Sequence, residues 1–231
     1  MSTDRKTSSI SIIVPTRNEA ESISKLLPEM LAIPGIEVLV VDGDSSDNTV
    51  ATAKALGAKV FIVSPGRAFQ MNAGARAARG EILLFLHADT RLAPGFAAQV
   101  RDALSQPGVA AGAFRLAIDG RGFALRILEW LVNFRSRLLQ MPYGDQGIFL
   151  RADLFSAVNG FPDLPIMEDF ELVRRLKRRG RIRIISLAAT TSPRRWEKSG
   201  ILRTTVINQV IIIGYLFGVN PRKLTDWYRG K

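Results

Sequence analysis

Short apolar segments alternate with segments of helical periodicity over the first 92 residues of the chain. The apolar segments cover residues 9–14, 36–41, 59–63 and 82–86. Between the first two, apolar residues recur at spacings of three and four from Ile23 to Met30, which indicates an amphipathic helix. Short strands that alternate with such helices predict right-handed crossovers and a parallel sheet. The sequence therefore predicts an α/β fold.

The turns that follow three of the predicted strands carry amide and carboxylate side chains. They are Asn18, Glu19, Asp42, Asp44 and Asp89. Because the carboxyl ends of parallel strands meet at one edge of a sheet, we expect these side chains to converge there. Carboxylates brought close together repel one another, so the expected occupant is a cation or a set of hydrogen-bond donors. Asp47 is instead expected to cap the following helix.

The alternation of strands and helices becomes irregular beyond Pro94. The pattern there predicts a strand at 109–117, an amphipathic helix at 123–139, a short strand at 147–150 and a helix that begins near residue 168. A polar, glycine-rich loop at 143–147 precedes the short strand. A length of 231 residues with 47% hydrophobic residues is typical of one globular domain.

The C-terminal segment at 201–219 is apolar but is interrupted by Arg203, Asn208 and Gln209. Its uninterrupted apolar part, 210–219, is well short of the ~20 residues that span a bilayer. We expect a core helix packed beneath the sheet. The alternative is an interfacial membrane helix, because aromatic and basic residues follow it.

The formal net charge is +11, and seven basic side chains lie between Arg174 and Arg183. Such a run attracts nucleic acid, an anionic membrane surface or a phosphorylated substrate, whereas the alternative is a solvated helix face. No nucleic-acid-binding motif accompanies the run, so we expect no nucleic-acid partner. Residues 1–9 lack the apolar core of a secretory signal. We therefore expect a cytoplasmic protein, or a peripheral one at the inner face of the membrane.

The chain has no cysteine and a single histidine, His87. The absence of cysteine excludes disulfides, thiolate zinc sites and cysteine nucleophiles, and it is consistent with a reducing cytosol. A lone histidine is usually structural, but His87 lies two residues before Asp89 at a strand end, which favours a ligand role. The phosphate-loop and dinucleotide glycine signatures are absent, which disfavours an ATPase or a dehydrogenase.

Four segments combine buried strands or a helix start with chemically active side chains. They are SIIVPTRNE at 11–19, VVDGDSSD at 40–47, FLHAD at 85–89 and the pair Glu168–Asp169. In this order and at this spacing, the segments resemble family 2 glycosyltransferases with the GT-A fold. Residues 65–68, 70–72 and 191–197 resemble a bacterial subgroup of small, single-domain members. The resemblance implies a Rossmann-like, mostly parallel sheet flanked by helices, with an irregular acceptor-side half.

The resemblance also implies which residues bind the nucleotide sugar. Pro15, Arg17 and Glu19 match the first nucleotide-contacting segment, and Asp42 matches the carboxylate that contacts the base or the ribose. The complete predicted set is Pro15, Arg17, Glu19, Asp42, Asp44, Arg67, Ala88, Arg194 and Arg195. In this set the paired arginines at 194–195 would cover the diphosphate as charge-assisted donors.

Metal and catalytic residues follow from the same resemblance. Asp89 matches the second aspartate of the family's Asp-x-Asp turn and His87 replaces the first. This implies Mn²⁺ or Mg²⁺ at the leaving diphosphate, with His87 better suited to manganese. Asp169 is assigned as the general base and Glu168 as its support, although the helix dipole alone would explain acidic residues at a helix start. Asp145 and Trp196 are expected on the acceptor side.

The resemblance predicts a single glycosyltransferase domain over residues 1–231. A nucleotide-sugar-binding half covers 9–92, an acceptor and catalytic half covers 93–200, and an apolar helix with a basic tail covers 201–231. The predicted reaction is inverting, metal-dependent hexosyl transfer from a nucleotide-sugar donor, with a UDP-sugar favoured. The expected acceptor is a sugar or a lipid that presents a hydroxyl or a phosphate, and the oligomeric state stays open.

Two alternative functions stay open. A nucleotidyltransferase would share the α/β architecture but usually has a glycine-rich N-terminal loop that residues 14–19 lack. A non-catalytic module that binds nucleotide sugars or membranes would keep Asp42 but would need no general base.

Overall fold

The structure, a computed structural model, describes residues 8–229. The polar N-terminal segment 1–7 and the last two residues of the basic tail lie outside the described residues. Residues 8–85 contain four strands and three helices in strict alternation: β1 Ile10–Thr16, α1 Ala20–Leu31, β2 Ile36–Asp42, α2 Thr49–Ala55, β3 Lys59–Ile62, α3 Arg67–Ala77 and β4 Ile82–Phe85. The four predicted strands are confirmed to within two residues at each end.

The remainder of the chain is less regular. Its elements are β5 Thr90–Leu92, α4 Phe96–Ser105, β6 Val109–Ile118, α5 Phe123–Leu139, a 3₁₀ turn Gly144–Gln146, β7 Ile148–Arg151, α6 Ala152–Ala157, α7 Glu168–Lys177, β8 Arg181–Thr191, α8 Arg194–Ser199, α9 Ile201–Leu216 and α10 Pro221–Arg229. The predictions of β6, α5, β7 and α7 are confirmed. Strands β5 and β8 were not predicted, because β5 is short and β8 begins within the run of basic residues.

All eight strands belong to one sheet, in the order β3-β2-β1-β4-β7-β6-β8-β5. Strands β1 to β4 are parallel, as predicted. Strand β7 is antiparallel to both β4 and β6, whereas β6 and β8 are parallel to each other. Because Phe85 at the end of β4 pairs with Ile148 at the start of β7, the glycine-rich loop before β7 lies beside the turn after β4. The carboxyl end of β8 reaches the same edge.

Apolar side chains fill both faces of the sheet. On one face, alternate residues of β1 such as Ile12 and Val14 pack against α1 and α4. On the other face, Ile13 packs against α3, α6 and α7. Helix α3 lies close to β1 because it has a glycine at the contact: a Cβ on Gly74 would lie 2.5 Å from Ile13 Cγ2. This contact fixes the start of α3, and with it Arg67, at the edge described below.

The prediction that the C-terminal helix is a core helix beneath the sheet is wrong. Only three residues of α9 are buried, namely Thr204, Ile211 and Gly214. Ile211 packs with Leu224 of α10 and with Met167 and Phe170 around the start of α7. Helices α9 and α10 therefore cover the edge of the sheet, not its face. Among residues 8–229, no helix is long and apolar enough to cross a bilayer.

The run of basic residues is not one helix face. Helix α7 ends at Lys177 and β8 begins at Arg181, so the run covers a helix end, a turn and a strand start. Within β8, Arg181 and Arg183 are exposed and Ile182 is buried. The alternative of a solvated helix face therefore holds only for the first part of the run.

Candidate active site

Three segments converge around Gly144, in the loop before β7. A Cβ placed on Gly144 would lie 3.0 Å from Asp169 Oδ2 and 3.4 Å from His87 Nε2, and it would overlap the guanidinium of Arg67. These three side chains come from the start of α7, the turn after β4 and the start of α3. The absence of a side chain at Gly144 is therefore what allows a carboxylate, an imidazole and a guanidinium to share one site.

Asp169 and Glu168 are the first two residues of α7. The backbone N–H of Gly144 donates a hydrogen bond of 2.7 Å to Asp169 Oδ2. Glu168 is buried, and its carboxylate lies 3.3 Å from Arg67 Nε. Burial and the charge of Asp169 raise the pKa of Glu168 to about 6, although Arg67 opposes the shift. The two carboxylates are thus held differently, one by a backbone amide and the other by an arginine.

Asp145 adds a third carboxylate to this site. Its pKa is raised by burial and by the charge of Asp169, against the attraction of Arg135. Within the described part of the chain, Asp145 Oδ1 is buried without a hydrogen-bond partner. An acceptor oxygen in this condition favours a ligand that brings a hydrogen-bond donor.

His87 and Asp89 follow β4, and each lies next to an arginine. His87 Nε2 contacts the guanidinium of Arg67, and burial together with the charges of Arg67 and Arg195 lowers the pKa of His87 well below its usual value. The imidazole is therefore neutral, which is the form that binds metals. Asp89 Oδ2 lies 3.4 Å from Arg194 Nη2.

The two arginines at the start of α8 point to different partners. Arg194 Nη2 lies 3.1 Å from Glu19 Oε2, so it joins the turn after β1 to Asp89. Arg195 donates a 2.8 Å hydrogen bond to Asn208 Oδ1 of α9, and its guanidinium lies 4.9 Å from the centre of the Tyr228 ring. Of the two arginines predicted to cover the diphosphate, Arg194 therefore contacts the turns at the strand edge, whereas Arg195 contacts the C-terminal helices.

The nucleotide-side turns are held by internal hydrogen bonds. Buried Asp42 accepts hydrogen bonds from the Ser45 N–H, at 2.9 Å, and from the Thr16 hydroxyl, at 3.1 Å. Asp47 accepts one from the Thr49 N–H, at 2.9 Å, at the start of α2, as predicted for a capping residue. Asp44 is exposed and has a positive φ of 64°.

Gln70 is a buried polar residue of this half that the sequence analysis missed. Its side-chain amide donates hydrogen bonds of 2.8 Å to the carbonyls of Thr16 and Val41, so it ties the ends of β1 and β2 together. Three further residues of this half were predicted to bind the nucleotide sugar. They lie at or just after the ends of β1 and β4: Pro15, Arg17 and Ala88. Arg17 is exposed.

A pocket of about 300 Å³ opens beside the three carboxylates. One wall consists of side chains from the strand edge: Arg67, His87, Asp145, Glu168 and Asp169. The opposite wall comes from the C-terminal helices: Asn208, Ile211, Ile212, Thr225 and Tyr228. One sign of this second wall is present in the sequence: Asn208 is one of three polar residues that interrupt the apolar segment 201–219.

Trp196, which was predicted on the acceptor side, does not line this pocket. Its ring packs with Leu125 and Leu128 of α5 and with Ile201 of α9. Trp196 is therefore packed in a core cluster, the other place that its sequence allowed. Consecutive residues of a helix point in different directions, and Arg195 is the one that faces the pocket.

A sequence model of the family described as Glycosyl transferase family 2 matches residues 11–159. The chain belongs to glycosyltransferase family 2. The match covers β1 through α6, and it ends before the pair Glu168–Asp169 and before the helices that close the pocket. The family model therefore covers the pocket residues Arg67, His87 and Asp145 of this glycosyltransferase, whereas the pair predicted to be catalytic and the wall formed by the C-terminal helices lie beyond it.

Two curated relatives match part of this glycosyltransferase. A 4,4'-diaponeurosporenoate glycosyltransferase from Staphylococcus haemolyticus is 36% identical over 95 residues, which are 37% of this chain and 25% of the relative. An undecaprenyl-phosphate 4-deoxy-4-formamido-L-arabinose transferase from Sodalis glossinidius is 27% identical over 165 residues, 66% of this chain and 51% of the relative. The matched part of the chain thus spans between a quarter and about half the length of these relatives.

Solved structures share the fold of this glycosyltransferase. TarS 1–349 from S. aureus superposes with a TM-score of 0.65 at 20% identity, over 88% of this chain and 64% of that chain. Glucosyl-3-phosphoglycerate synthase from Mycobacterium tuberculosis, in complex with Mn²⁺, UDP and glucosyl-3-phosphoglycerate, gives 0.60 at 21% identity, over 78% and 70%. The α/β fold with its mixed, mostly parallel sheet is therefore of the GT-A type.

Proposed function

We propose that this family 2 glycosyltransferase transfers a sugar from a nucleoside-diphosphate donor, with a UDP-sugar favoured, to the hydroxyl or phosphate of a sugar or lipid acceptor. The observation that carries the proposal is the convergence at Gly144 of a candidate base, Asp169, with the two side chains His87 and Arg67. The donor diphosphate is expected on the strand-edge side, and the acceptor in the pocket closed by α9 and α10.

The expected reaction inverts the configuration of the sugar in one displacement. Asp169 takes the proton of the acceptor hydroxyl while the hydroxyl oxygen attacks the anomeric carbon. The bond from that carbon to the diphosphate oxygen breaks, and the nucleoside diphosphate leaves with the electron pair. Two backbone amides support this role because they fix the carboxylate: the Gly144 N–H donates to Asp169 Oδ2 and the Phe170 N–H donates to Oδ1, each at 2.7 Å. Each carboxylate oxygen keeps a second lone pair for the acceptor proton.

Glu168 acts through Arg67 in this proposal. Its carboxylate pairs with Arg67 Nε, and Arg67 in turn contacts His87. Arg67, Arg194 and Arg195 supply positive charge at the mouth of the site. Charge-assisted donors of this kind bind diphosphate strongly and stabilise the charge that develops on it.

His87 and Asp89 fit a divalent cation in part. A neutral imidazole and a carboxylate at one strand end are suitable ligands for Mn²⁺, and less suitable for Mg²⁺. No group of three or more His, Asp or Glu side chains that could hold an ion was found between residues 8 and 229, so donor phosphate oxygens would complete the coordination. When bound, such an ion stabilises the negative charge of the leaving diphosphate.

The function is tested by the release of nucleoside diphosphate from UDP-, GDP- and dTDP-sugars in the presence of hydroxyl acceptors. Wild-type protein should turn over one donor, and Asp169→Asn should lower kcat by about 10²–10⁴-fold, the usual contribution of a general base. Asp102→Asn, on the exposed face of α4, is the matched control and should keep full activity. Full activity of Asp169→Asn would show that the base is a different residue, and no turnover of any donor by wild-type protein would contradict the proposed transfer.

A further inference from the structure

Two helices of this protein expose apolar stripes of the same spacing. On α5 the stripe consists of Phe123, Ile127, Trp130, Phe134 and Leu138, which are between 43% and 80% exposed. On α9 and the residue after it, the stripe consists of Leu202, Val206, Val210, Ile213 and Phe217, which are between 44% and 85% exposed. Residues at these spacings share one helix face. Large apolar side chains in continuous exposed rows mark an interaction surface.

The two helices that carry the stripes meet at the start of α9 and just after the end of α5. The inner face of α5 and the first residue of α9 belong to one apolar cluster, in which Leu125 and Leu128 pack near Ile201. Met141, just after α5, packs in the cluster around Ile211 of α9. We call the exposed faces of these two helices the α5–α9 surface. It borders the pocket, because α9 supplies Asn208, Ile211 and Ile212 to the pocket wall.

Basic residues surround the α5–α9 surface. The exposed cationic side chains in and next to the two helices are Arg121, Arg137, Lys198, Arg203, Arg222 and Lys223. Across residues 121–139 and 198–223, the sole carboxylate is Glu129, which is mostly buried and pairs with Arg126 at 2.9 Å. Three more carboxylates, Asp119, Glu197 and Asp226, lie just outside these ranges. An apolar face bordered by cations matches the chemistry of an anionic bilayer, where acyl chains lie beneath acidic headgroups.

The same charges disfavour a second copy of the chain as the occupant. A symmetric dimer places the same patch against itself, so two sets of cations would face each other, and within the two helices Glu129, already paired with Arg126, is the one carboxylate of each copy. A membrane with acidic lipids has the opposite charge and needs no such compensation.

We propose that the α5–α9 surface docks on an anionic lipid bilayer. Docking in this way would place the neighbouring pocket at the membrane surface. The docking does not depend on sugar transfer. Its consequence, an acceptor carried by a lipid, rests on the proposed function. The aromatic pair Trp130 and Phe134, stacked with ring centroids 5.5 Å apart, would enter the interface first, since amphipathic aromatic rings favour the headgroup region.

The test is co-sedimentation of the full chain with vesicles of mixed phosphatidylglycerol and phosphatidylcholine, in the absence of donor and acceptor. Wild-type protein should bind these vesicles and should bind vesicles of phosphatidylcholine alone more weakly. Trp130→Ser and Phe217→Ser should each weaken binding by about tenfold or more, because each removes a large apolar side chain from the interface. Ile62→Ser is the matched control, since Ile62 is 62% exposed on β3.

Tryptophan fluorescence gives a second readout. The emission should shift to shorter wavelength when anionic vesicles are added to wild-type protein, and the shift should be smaller for Trp130→Ser. Circular dichroism of each variant checks that the fold is intact, which is expected because the substituted side chains are exposed.

Three outcomes would overturn the docking proposal. One is no binding of wild-type protein to anionic vesicles. A second is binding that salt abolishes but that neither Trp130→Ser nor Phe217→Ser weakens, because that would place the contact on another basic face. A third is concentration-dependent self-association that Trp130→Ser abolishes, which would identify a second copy as the occupant. Vesicle binding without sugar transfer would instead contradict only the proposed function.

Discussion

The carboxylates on the two sides of the sheet edge are held in opposite ways. On the nucleotide side, Asp42 is buried but its oxygens accept hydrogen bonds from Ser45 and Thr16. On the pocket side, Asp145 has a buried oxygen without a partner within the described residues, and the pKa of Glu168 is raised to about 6. The difference indicates that Asp42 stabilises its own turn, whereas Asp145 keeps an oxygen that can accept a hydrogen bond from a ligand.

The largest expected effect is a loss of activity when a side chain is added at Gly144, on the pocket side. Gly144→Ala would place a methyl group between Asp169, His87 and Arg67. Because a displacement of about 1 Å in a catalytic group can cost 10²-fold in rate, we expect kcat to fall by about 10²-fold with little change in thermal unfolding. Steady-state kinetics and calorimetric melting measure the two effects.

Gly120→Ala is the control for that substitution. Its added methyl would lie 2.7 Å from Leu125 Cδ1, the flexible end of a side chain outside the pocket. Full activity of Gly144→Ala would show that the close packing of side chains around Gly144 does not contribute to catalysis.

A substitution on the nucleotide side should lower the free energy of unfolding. Asp42→Ala removes the acceptor for three hydrogen bonds within the buried turn, from the Ser45 N–H, the Ser45 hydroxyl and the Thr16 hydroxyl, so we expect the free energy of unfolding to fall by about 1–3 kcal/mol. Urea denaturation measures this change, and Asp102→Ala on α4 is the exposed control. An unchanged midpoint for Asp42→Ala would contradict the structural role assigned to that side.

A smaller effect is expected from pH. Since the pKa of folded Glu168 is raised from 4.5 to about 6, its contribution to stability is fully present below pH 4.5 and is lost as the pH rises through about 6. A shift of this size corresponds to about 2 kcal/mol. Between acidic and neutral pH, the free energy of unfolding of Glu168→Gln should therefore fall by about 1–2 kcal/mol less than that of wild type.

Urea denaturation at several pH values measures that difference. Glu29→Gln, at an exposed position of α1, is the control and should follow the wild-type curve. Parallel curves for Glu168→Gln and wild type would contradict the raised pKa and, with it, the contrast between the two sides.

The sequence predicted the nucleotide-side half well because its signals are local. The apolar residues of β1 and the helical spacing in α1 occur within single segments. Strand β8 was missed because Arg181 and Arg183 alternate with buried Ile182, and in sequence such a strand resembles a charged run. The assignment of this strand depends on its pairing with β6, which no local pattern reveals.

The candidate site was predictable in part for the same reason. His87, Asp89 and the pair Glu168–Asp169 stand at element ends, and their positions follow from the order of the elements. Gly144 and Tyr228 gave no such signal, because their importance depends on tertiary packing. Gly144 matters through its distance to three other segments, and Tyr228 through the docking of α10 on Arg195.

We propose that donor binding and proton removal belong to different sides of the sheet edge. The most direct measurement is calorimetric titration with UDP, GDP and dTDP, with and without Mn²⁺, of Asp89→Asn, Asp169→Asn and wild type. We expect wild type to bind one diphosphate in the presence of Mn²⁺, Asp89→Asn to lose that binding and Asp169→Asn to retain it. Loss of binding in Asp169→Asn with retention in Asp89→Asn, or no binding by wild type, would contradict the account.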